Sequence, residues 1–151
     1  SAPRRRVLGV TMYLLDTNII SELWKLSRGK ADPVFESWFR VYSDRPLYIS
    51  VVTLMELERG VLAMERKDPA QGAYLREWFS AVREKFQKRT LVIDEAVADC
   101  CAGLHVPDKA PENDAWIAAT ALTHGLTLVT RNVKDFERLH VRLLNPFEPT
   151  T

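Results

Sequence analysis

The sequence predicts an α/β domain with a mainly parallel central sheet of four or five short strands and helices on both faces. Short apolar runs such as 12–15 and 126–130 recur along the chain, and stretches with apolar residues at helical spacing separate them. Strands that are apolar on both sides are typical of parallel sheets covered by helices. The length of 151 residues and the hydrophobic fraction of 46% suit a single domain with a substantial core.

The individual elements follow from local patterns. Apolar runs predict strands at 12–15, 47–50, 91–93 and 126–130, with a weaker fifth strand within 139–144. Helical spacing predicts helices over 19–26, 33–42, 53–62, 74–86, 94–100 and 113–125. Helix boundaries are indicated by Pro33 in a first turn, by Asp94 and Asn113 as N-caps and by Gly125 as a C-cap.

Composition restricts the class of protein but does not indicate a function. Net charge is +1, so the chain as a whole does not indicate nucleic-acid binding, although a local basic surface is compatible with that total. The adjacent cysteines, Cys100 and Cys101, are predicted to be plain thiols in a reducing compartment. No apolar run is long enough to span a membrane, so we expect a cytoplasmic protein. Residues 1–11 are basic and are predicted to be an extension or a remnant of cloning, with the folded domain at 12–151.

Polar residues follow several predicted strands or begin the helices after them. They are Asp16, Glu56, Asp114, Asn132 and Asp135. In a parallel sheet, ligands bind at the carboxyl ends of the strands, and that edge would bring these side chains together. Carboxylates crowded in this way repel one another unless a cation is present. An oxygen-only ligand set without His or Cys favours Mg²⁺ or Mn²⁺.

Each of these residues also has a purely structural explanation. Asp16 could cap the helix that follows the first strand, and Glu56 could complete a capping box with Thr53. Asp114 could favour a helix N-terminus through the helix dipole, and Asp135 could be a solvated turn residue. The metal site is favoured by the set as a whole.

Four segments in a fixed order resemble the PIN-domain ribonucleases, and specifically the toxins of VapBC or FitAB type toxin–antitoxin pairs. They are LLDTNIISEL (14–23), ISVVTLMELERGV (49–61), NDAWIAATALTHGLTLVTRNVKDF (113–136) and NPF (145–147). The resemblance implies catalytic and metal-binding roles for Asp16, Glu56 and Asp114. The fourth metal-binding position is Asn132, where some relatives have Asp, or the nearby Asp135.

The resemblance also implies which residues surround the acids. Thr17, Asn18 and Thr130 would support the first aspartate, and the capping role would pass to Thr17 or Asn18. A chain of this kind would cleave RNA endonucleolytically with Mg²⁺ or Mn²⁺, form a homodimer and be blocked by a small antitoxin. That antitoxin would cover apolar surface around aromatic residues of the early helices. About half of these aromatic residues are expected to lie in the internal core instead. Those aromatics are Trp24, Phe35, Trp38 and Phe39.

The acids repel RNA, so cations must bind its phosphates. Arg131 and Lys134 lie beside the predicted site and are the first candidates, followed by Lys109 and Arg59. The three histidines have no triad or ligand spacing and are expected to be structural or surface residues. The alternative function is a PIN-like interaction module with a weakened metal site and no nuclease activity. Asn132 supports this alternative, because some relatives have Asp at that position. Gly-rich phosphate loops are absent from the sequence, which disfavours a nucleotide-binding switch.

Overall fold

The computed structural model describes residues 11–149. Its five strands and seven α-helices alternate along the chain, and one short 3₁₀ helix, Glu137–Leu139, precedes the last strand. The strands are β1 (Tyr13–Leu15), β2 (Leu47–Ser50), β3 (Thr90–Leu91), β4 (Thr127–Val129) and β5 (Leu143–Leu144). The helices are α1 (Thr17–Ser27), α2 (Pro33–Tyr42), α3 (Val51–Lys67), α4 (Pro69–Lys85), α5 (Glu95–Leu104), α6 (Glu112–His124) and α7 (Val133–Phe136). The prediction for residues 1–11 lies, apart from Thr11, outside the described residues, as do Thr150 and Thr151 of the predicted domain.

The five strands form one sheet in the order β3-β2-β1-β4-β5, and every pairing between neighbours is parallel. This confirms the predicted α/β class and the predicted number of strands. From β1 the chain moves outward to β2 and β3, and then crosses to β4 on the other side of β1. The carboxyl ends of β1 and β4 therefore flank the point where the strand order reverses, which is where ligands bind in open parallel sheets.

A separate apolar core covers each face of the sheet. Leu14 and Leu128 point into a core shared with α5 and α6, whereas Tyr13, Leu15 and Val129 point into a core shared with α1, α2 and α4. Because both faces are buried, the strands carry apolar residues at consecutive positions instead of alternating with polar ones. Within the described part of the chain, no helix combines the length and apolar character needed to cross a membrane.

Four of the five predicted strands are shorter in the structure: β1 and β4 lose a residue at one or both ends, and the other two are shortened for specific reasons. Register pairs Ser50 with Leu91, and β2 ends at Ser50 because this residue caps α3. Val92 therefore has no partner strand, and its side chain is 58% exposed. The predicted strand 139–144 shrinks to two residues because His140 adopts a left-handed backbone with φ of 56°, which ends the preceding 3₁₀ helix.

Three caps differ from the predictions. Asp16 itself caps α1 by accepting a hydrogen bond from the Thr17 amide, so the capping role does not pass to Thr17 or Asn18. Ser50 caps α3, which places Glu56 in the second turn and rules out a capping box with Thr53. Helix α6 begins at Glu112 after Pro111, so Asn113 lies inside the first turn and is not the N-cap. Asp94 and Gly125 cap α5 and α6 as predicted.

Helices α3 and α4 form a closely packed antiparallel pair. Arg76 of α4 bridges Glu58 and Glu65 of α3, with Nη2 2.7 Å from Glu58 Oε2 and Nε 3.1 Å from Glu65 Oε2. The Arg76 guanidinium lowers the pKa of both glutamates. A β-carbon on Gly72 would lie 2.4 Å from the Glu65 Cα, so only glycine permits this approach.

Candidate active site

Asp16 and Thr130 stand at the point where the strand order reverses. Asp16 directly follows β1 and Thr130 directly follows β4, and the Asp16 amide donates to the Val129 carbonyl oxygen over 2.9 Å. The parallel pairing of β1 with β4 therefore delivers both side chains to the same edge. This juxtaposition follows from the sheet register and does not depend on loop conformation.

The carboxylate of Asp16 is buried and held by three neutral donors. Only 6% of the residue is exposed. Its Oδ1 accepts from the Thr17 amide at 2.8 Å, and its Oδ2 accepts from the Thr130 hydroxyl at 2.8 Å and from Asn18 Nδ2 at 3.1 Å. Burial raises the pKa of Asp16, as does the nearby carboxylate of Glu56, whereas the three hydrogen bonds oppose that rise.

Asn18 connects the segments that follow β1 and β4. Its Nδ2 also lies 3.2 Å from the Thr130 hydroxyl oxygen, and its Oδ1 accepts from the Arg131 amide at 3.1 Å. The amide orientation is thereby defined, because only the oxygen can accept from a backbone N–H. Asn18 thus fixes the path of the chain past the Asp16 carboxylate.

Glu56 reaches the same edge from α3. The Thr17 hydroxyl donates to its Oε1, and Asn113 Nδ2 donates to its Oε2 over 3.1 Å. The hydroxyls of Thr17 and Thr53 lie 3.1 Å apart, and Thr53 is fully buried. These contacts hold the Glu56 carboxylate between α1 and α6.

Asp114 lies in the first turn of α6 and faces the other acids. Its pKa is raised to about 6, first by partial burial and then by repulsion from Asp16, Asp135 and Glu56. The four carboxylates therefore share one electrostatic environment, and we call them the acidic cluster. Within residues 11–149, however, no three His, Cys, Asp or Glu side chains are grouped closely enough to form a ready metal site.

The two candidates for the fourth position differ in what they contact. Asn132 is exposed, and its backbone amide donates to the Thr130 hydroxyl oxygen over 3.0 Å. Asp135 is also exposed, but its charge contributes to the raised pKa of Asp114. Of the two side chains, that of Asp135 has the demonstrable electrostatic link to the cluster.

The predicted cations are all exposed but differ in their contacts. The Arg131 guanidinium lies over the Phe147 ring, with Cζ 4.3 Å from the ring centroid. Lys134 is exposed in α7 beside the cluster. Lys109 forms an exposed ion pair with Glu112 at 3.7 Å, and Arg59 is exposed on α3.

Sequence reasoning missed the role of Asn113 and Thr53. Asn113 looked like a helix cap, and Thr53 looked like half of a capping box, because both residue types favour those positions. Only the arrangement of α1, α3 and α6 around one edge brings Asn113 to Glu56 and Thr53 to Thr17. Of the histidines, His105 has a structural role, since its Nδ1 accepts from the Ala110 amide at 3.0 Å.

The aromatic residues of the early helices divide between core and surface. Phe35 and Trp38 are buried in the core, so they do not form part of an exposed docking surface. Trp24 and Phe39 are half-buried. Trp24 packs against Trp78, with ring centroids 5.3 Å apart, in a groove of about 300 Å³ that runs from Thr17 and Glu56 along α3 and α4.

Comparison with known proteins gives the family that the four sequence segments resemble. The family described as PIN domain matches residues 13–141. This chain belongs to the PIN-domain family.

Curated relatives are VapC ribonucleases and related toxins. VapC ribonuclease Y4jK of Sinorhizobium fredii is 33% identical over 142 residues, which cover 91% of this chain and 99% of the relative. Toxin FitB of Neisseria gonorrhoeae is 30% identical over 141 residues, which cover 90% of this chain and 99% of that toxin. The chain is therefore a homologue of VapC ribonucleases and of the FitB toxin.

Solved structures agree over nearly the whole chain. FitAcB from Neisseria gonorrhoeae superposes with a TM-score of 0.79 and 30% identity, covering 91% of this chain and 99% of that one. FitAB bound to an IR36 DNA fragment superposes with a TM-score of 0.81 and 28% identity, covering 93% and 99% respectively. Both structural neighbours share the strand and helix arrangement that forms the acidic edge.

Proposed function

We propose that this protein is a Mg²⁺- or Mn²⁺-dependent endoribonuclease and the toxin of a toxin–antitoxin pair. The observation that carries the proposal is the acidic cluster at the β1–β4 edge, where Asp16 is buried among neutral donors and Asp114 has a pKa of about 6. Carboxylates that repel one another in this way are stabilised by a divalent cation. The relatives named as VapC ribonucleases support RNA as the substrate.

The donor set fits a hard divalent cation. It consists of carboxylate oxygens surrounded by hydroxyl and amide groups, and it contains neither His nor Cys. We propose that Asp16, Glu56 and Asp114 hold the ion. We propose Asp135 instead of Asn132 as the fourth residue, because its charge acts on Asp114. A bound ion would supply the Lewis-acid chemistry for hydrolysis of a phosphodiester.

The remaining residues of the site position these acids. Thr130 and Asn18 orient the Asp16 carboxylate, and Thr17 and Asn113 orient that of Glu56. Each carboxylate thus enters the site with its direction already set, which lowers the cost of assembling the ion-binding arrangement. Outside the cluster, Arg131 and Lys134 would bind RNA phosphates.

The decisive experiment is cleavage of a single-stranded RNA by the purified protein in Mg²⁺, in Mn²⁺ and in EDTA. We expect cleavage only with a divalent ion. Asp16→Asn should lower the cleavage rate by more than the roughly 100-fold loss that follows when a residue supporting a metal ligand is changed. The matched control is Asp44→Asn, which neutralises an exposed aspartate just before β2, at the opposite edge of the sheet. Cleavage that persists in Asp16→Asn would contradict the proposed mechanism.

The second candidate is an interaction module without nuclease activity. It is favoured by one observation, namely that within residues 11–149 the acids do not form a ready metal site. Calorimetric titration with Mn²⁺ separates the two functions. The nuclease should take up Mn²⁺ and lose that uptake in Asp16→Asn, whereas the interaction module should show no uptake at all.

We also propose a cognate antitoxin and a homodimer. The antitoxin is supported by the solved neighbours, which include FitAB bound to DNA, and the groove from Glu56 to Trp78 offers it a half-buried aromatic surface beside the cluster. Expression in a bacterial host should arrest growth, and Asp16→Asn should relieve the arrest. Sedimentation at several protein concentrations tests the homodimer.

A further inference from the structure

Arg131 is fixed to the acidic cluster through its main chain. Its amide donates to Asn18 Oδ1 over 3.1 Å, and Asn18 in turn donates to Asp16. The residue therefore cannot move away from the site without breaking that connection. Its side chain is exposed and extends from this fixed point.

The guanidinium of Arg131 lies on an aromatic ring and not on a carboxylate. Cζ is 4.3 Å from the centroid of Phe147, the shortest cation–ring distance among residues 11–149. Within the same residues Arg131 forms no ion pair with any carboxylate. The ring is therefore the contact that fixes the position of the charge.

Phe147 is itself held firmly. Its amide donates to Asn145 Oδ1 over 2.9 Å, which fixes the turn after β5. Its ring also stacks on the buried Phe35, with centroids 5.3 Å apart and planes inclined by 22°. The Phe147 ring thus contacts both the core and the guanidinium.

We infer that Phe147 is a positioning residue that keeps the Arg131 guanidinium free to bind an RNA phosphate next to the acidic cluster. Without the ring, the guanidinium would lose the contact that restrains it, and the long Arg131 side chain would sample many rotamers. That freedom would raise the entropic cost of placing the cation on a phosphate. With the ring in place, one face of the guanidinium is stacked while the N–H donors in its plane remain open, and these donors suit bidentate phosphate binding. The inference rests on the proposed function, since it takes RNA as the ligand.

The test measures binding of a fluorescently labelled single-stranded RNA by anisotropy, in EDTA so that cleavage does not interfere. We expect Arg131→Ala and Phe147→Leu each to weaken binding by about 5- to 10-fold and to lower the slope of log affinity against log salt by about 0.7, the value for one lost phosphate contact on a single strand. Phe147→Trp keeps an aromatic ring and should retain the wild-type affinity. The double variant should bind no more weakly than Arg131→Ala alone, because Phe147 acts through Arg131.

The matched control is Arg45, which lies over the ring of Tyr42 at 5.1 Å. Arg45 is exposed and precedes β2, so it stands at the opposite edge of the sheet. Arg45→Ala should leave both the affinity and the salt slope unchanged.

Thermal melting first establishes which variants are folded. If Phe147→Leu does not fold, Phe147→Met replaces it, because methionine keeps the apolar bulk without the ring. A folded Phe147→Leu or Phe147→Met protein with wild-type affinity and salt slope would overturn the inference and leave the proposed function intact. A wild-type protein that binds no RNA in EDTA would overturn the inference, whereas the proposed function is decided separately by cleavage in Mg²⁺.

Discussion

Replacement of Asp114 by asparagine should stabilise the metal-free protein at neutral pH. The folded state raises the pKa of Asp114 from 3.8 to about 6, so it binds the proton more tightly than the unfolded chain does. The ionisation of Asp114 therefore costs the wild-type protein no stability below the unfolded pKa of 3.8, and stability is lost as pH rises through the folded pKa of about 6. Asparagine does not titrate in this range and escapes that loss.

The magnitude follows from the size of the shift. A rise of about 2 pKa units at about 1.4 kcal/mol each corresponds to at most ~3 kcal/mol at pH 7.5. Asp114 is only partly buried, so solvent screening reduces this to about 1–3 kcal/mol. The Asp114 carboxylate also stabilises the first turn of α6 through the helix dipole by about 0.3–1 kcal/mol, and the asparagine variant loses this contribution. We therefore expect a net gain of about 1–2 kcal/mol, equivalent to a rise in Tm of roughly 3–6 °C.

The assay is thermal unfolding in EDTA from pH 4.5 to pH 7.5, repeated with Mg²⁺. The gain from Asp114→Asn should shrink at pH 4.5 to about a third of its value at pH 7.5, because the wild-type carboxyl is then largely protonated in the folded state. Mg²⁺ should raise the Tm of the wild-type protein by binding the native state and should raise that of the variant less. The control is Asp99→Asn on the exposed face of α5.

One result would refute this reasoning. If Asp114→Asn melts below the wild-type protein in EDTA at pH 7.5, the carboxylate is stabilised in the fold and is not strained by its acidic neighbours. A gain that is the same at both pH values would equally show that the charge of Asp114 is not its source.

Two other changes test the packing and the support of the site. Gly72→Ala should lower the free energy of unfolding by about 1–3 kcal/mol, because its β-carbon would lie 2.4 Å from the Glu65 Cα. In the control Gly60→Ala, the new β-carbon meets nothing within 4 Å, so this variant should stabilise α3 by about 0.5–1 kcal/mol. Equal melting temperatures of the two variants would contradict this prediction. Thr130→Val should cost about 1.5–3 kcal/mol in denaturant unfolding by removing the donor to Asp16 Oδ2. It should also shift the acidic limb of the RNA-cleavage pH profile to higher pH, because that hydrogen bond lowers the pKa of Asp16, and an unmoved limb would exclude this role for Thr130.

The central sheet was predictable because its strands carry a strong local signal. Consecutive apolar residues at 12–15 and a mostly apolar run at 126–130 indicate burial on both faces, and the parallel order places the residues that follow them at one edge. The pattern therefore predicted that Asp16 lies at this edge, whereas Thr130 was predicted only through the family resemblance. The same reasoning failed for Val92, whose apolar character resembles a strand although β2 ends before it could pair.

The contacts around Glu56 could not be predicted from sequence. Asn113 and Thr53 occupy positions where helix capping already accounts for their residue types, so nothing in the local sequence indicates a tertiary contact. The hydrogen bond from Asn113 to Glu56 joins residues 57 positions apart, and it depends on how α3 and α6 pack across the edge of the sheet. The position of Arg131 over Phe147 likewise depends on where the segment after β5 folds back.

The hydrogen bond from Thr130 to Asp16 also bears on when the site can form during synthesis. It joins residues separated by 114 positions, and the bond from Asn18 to Thr130 spans 112. A nascent chain that ends before β4 contains Asp16, Glu56 and Asp114 but lacks the strand that orients the first of them. The acidic site therefore cannot reach its final arrangement before β4 and Thr130 have been synthesised.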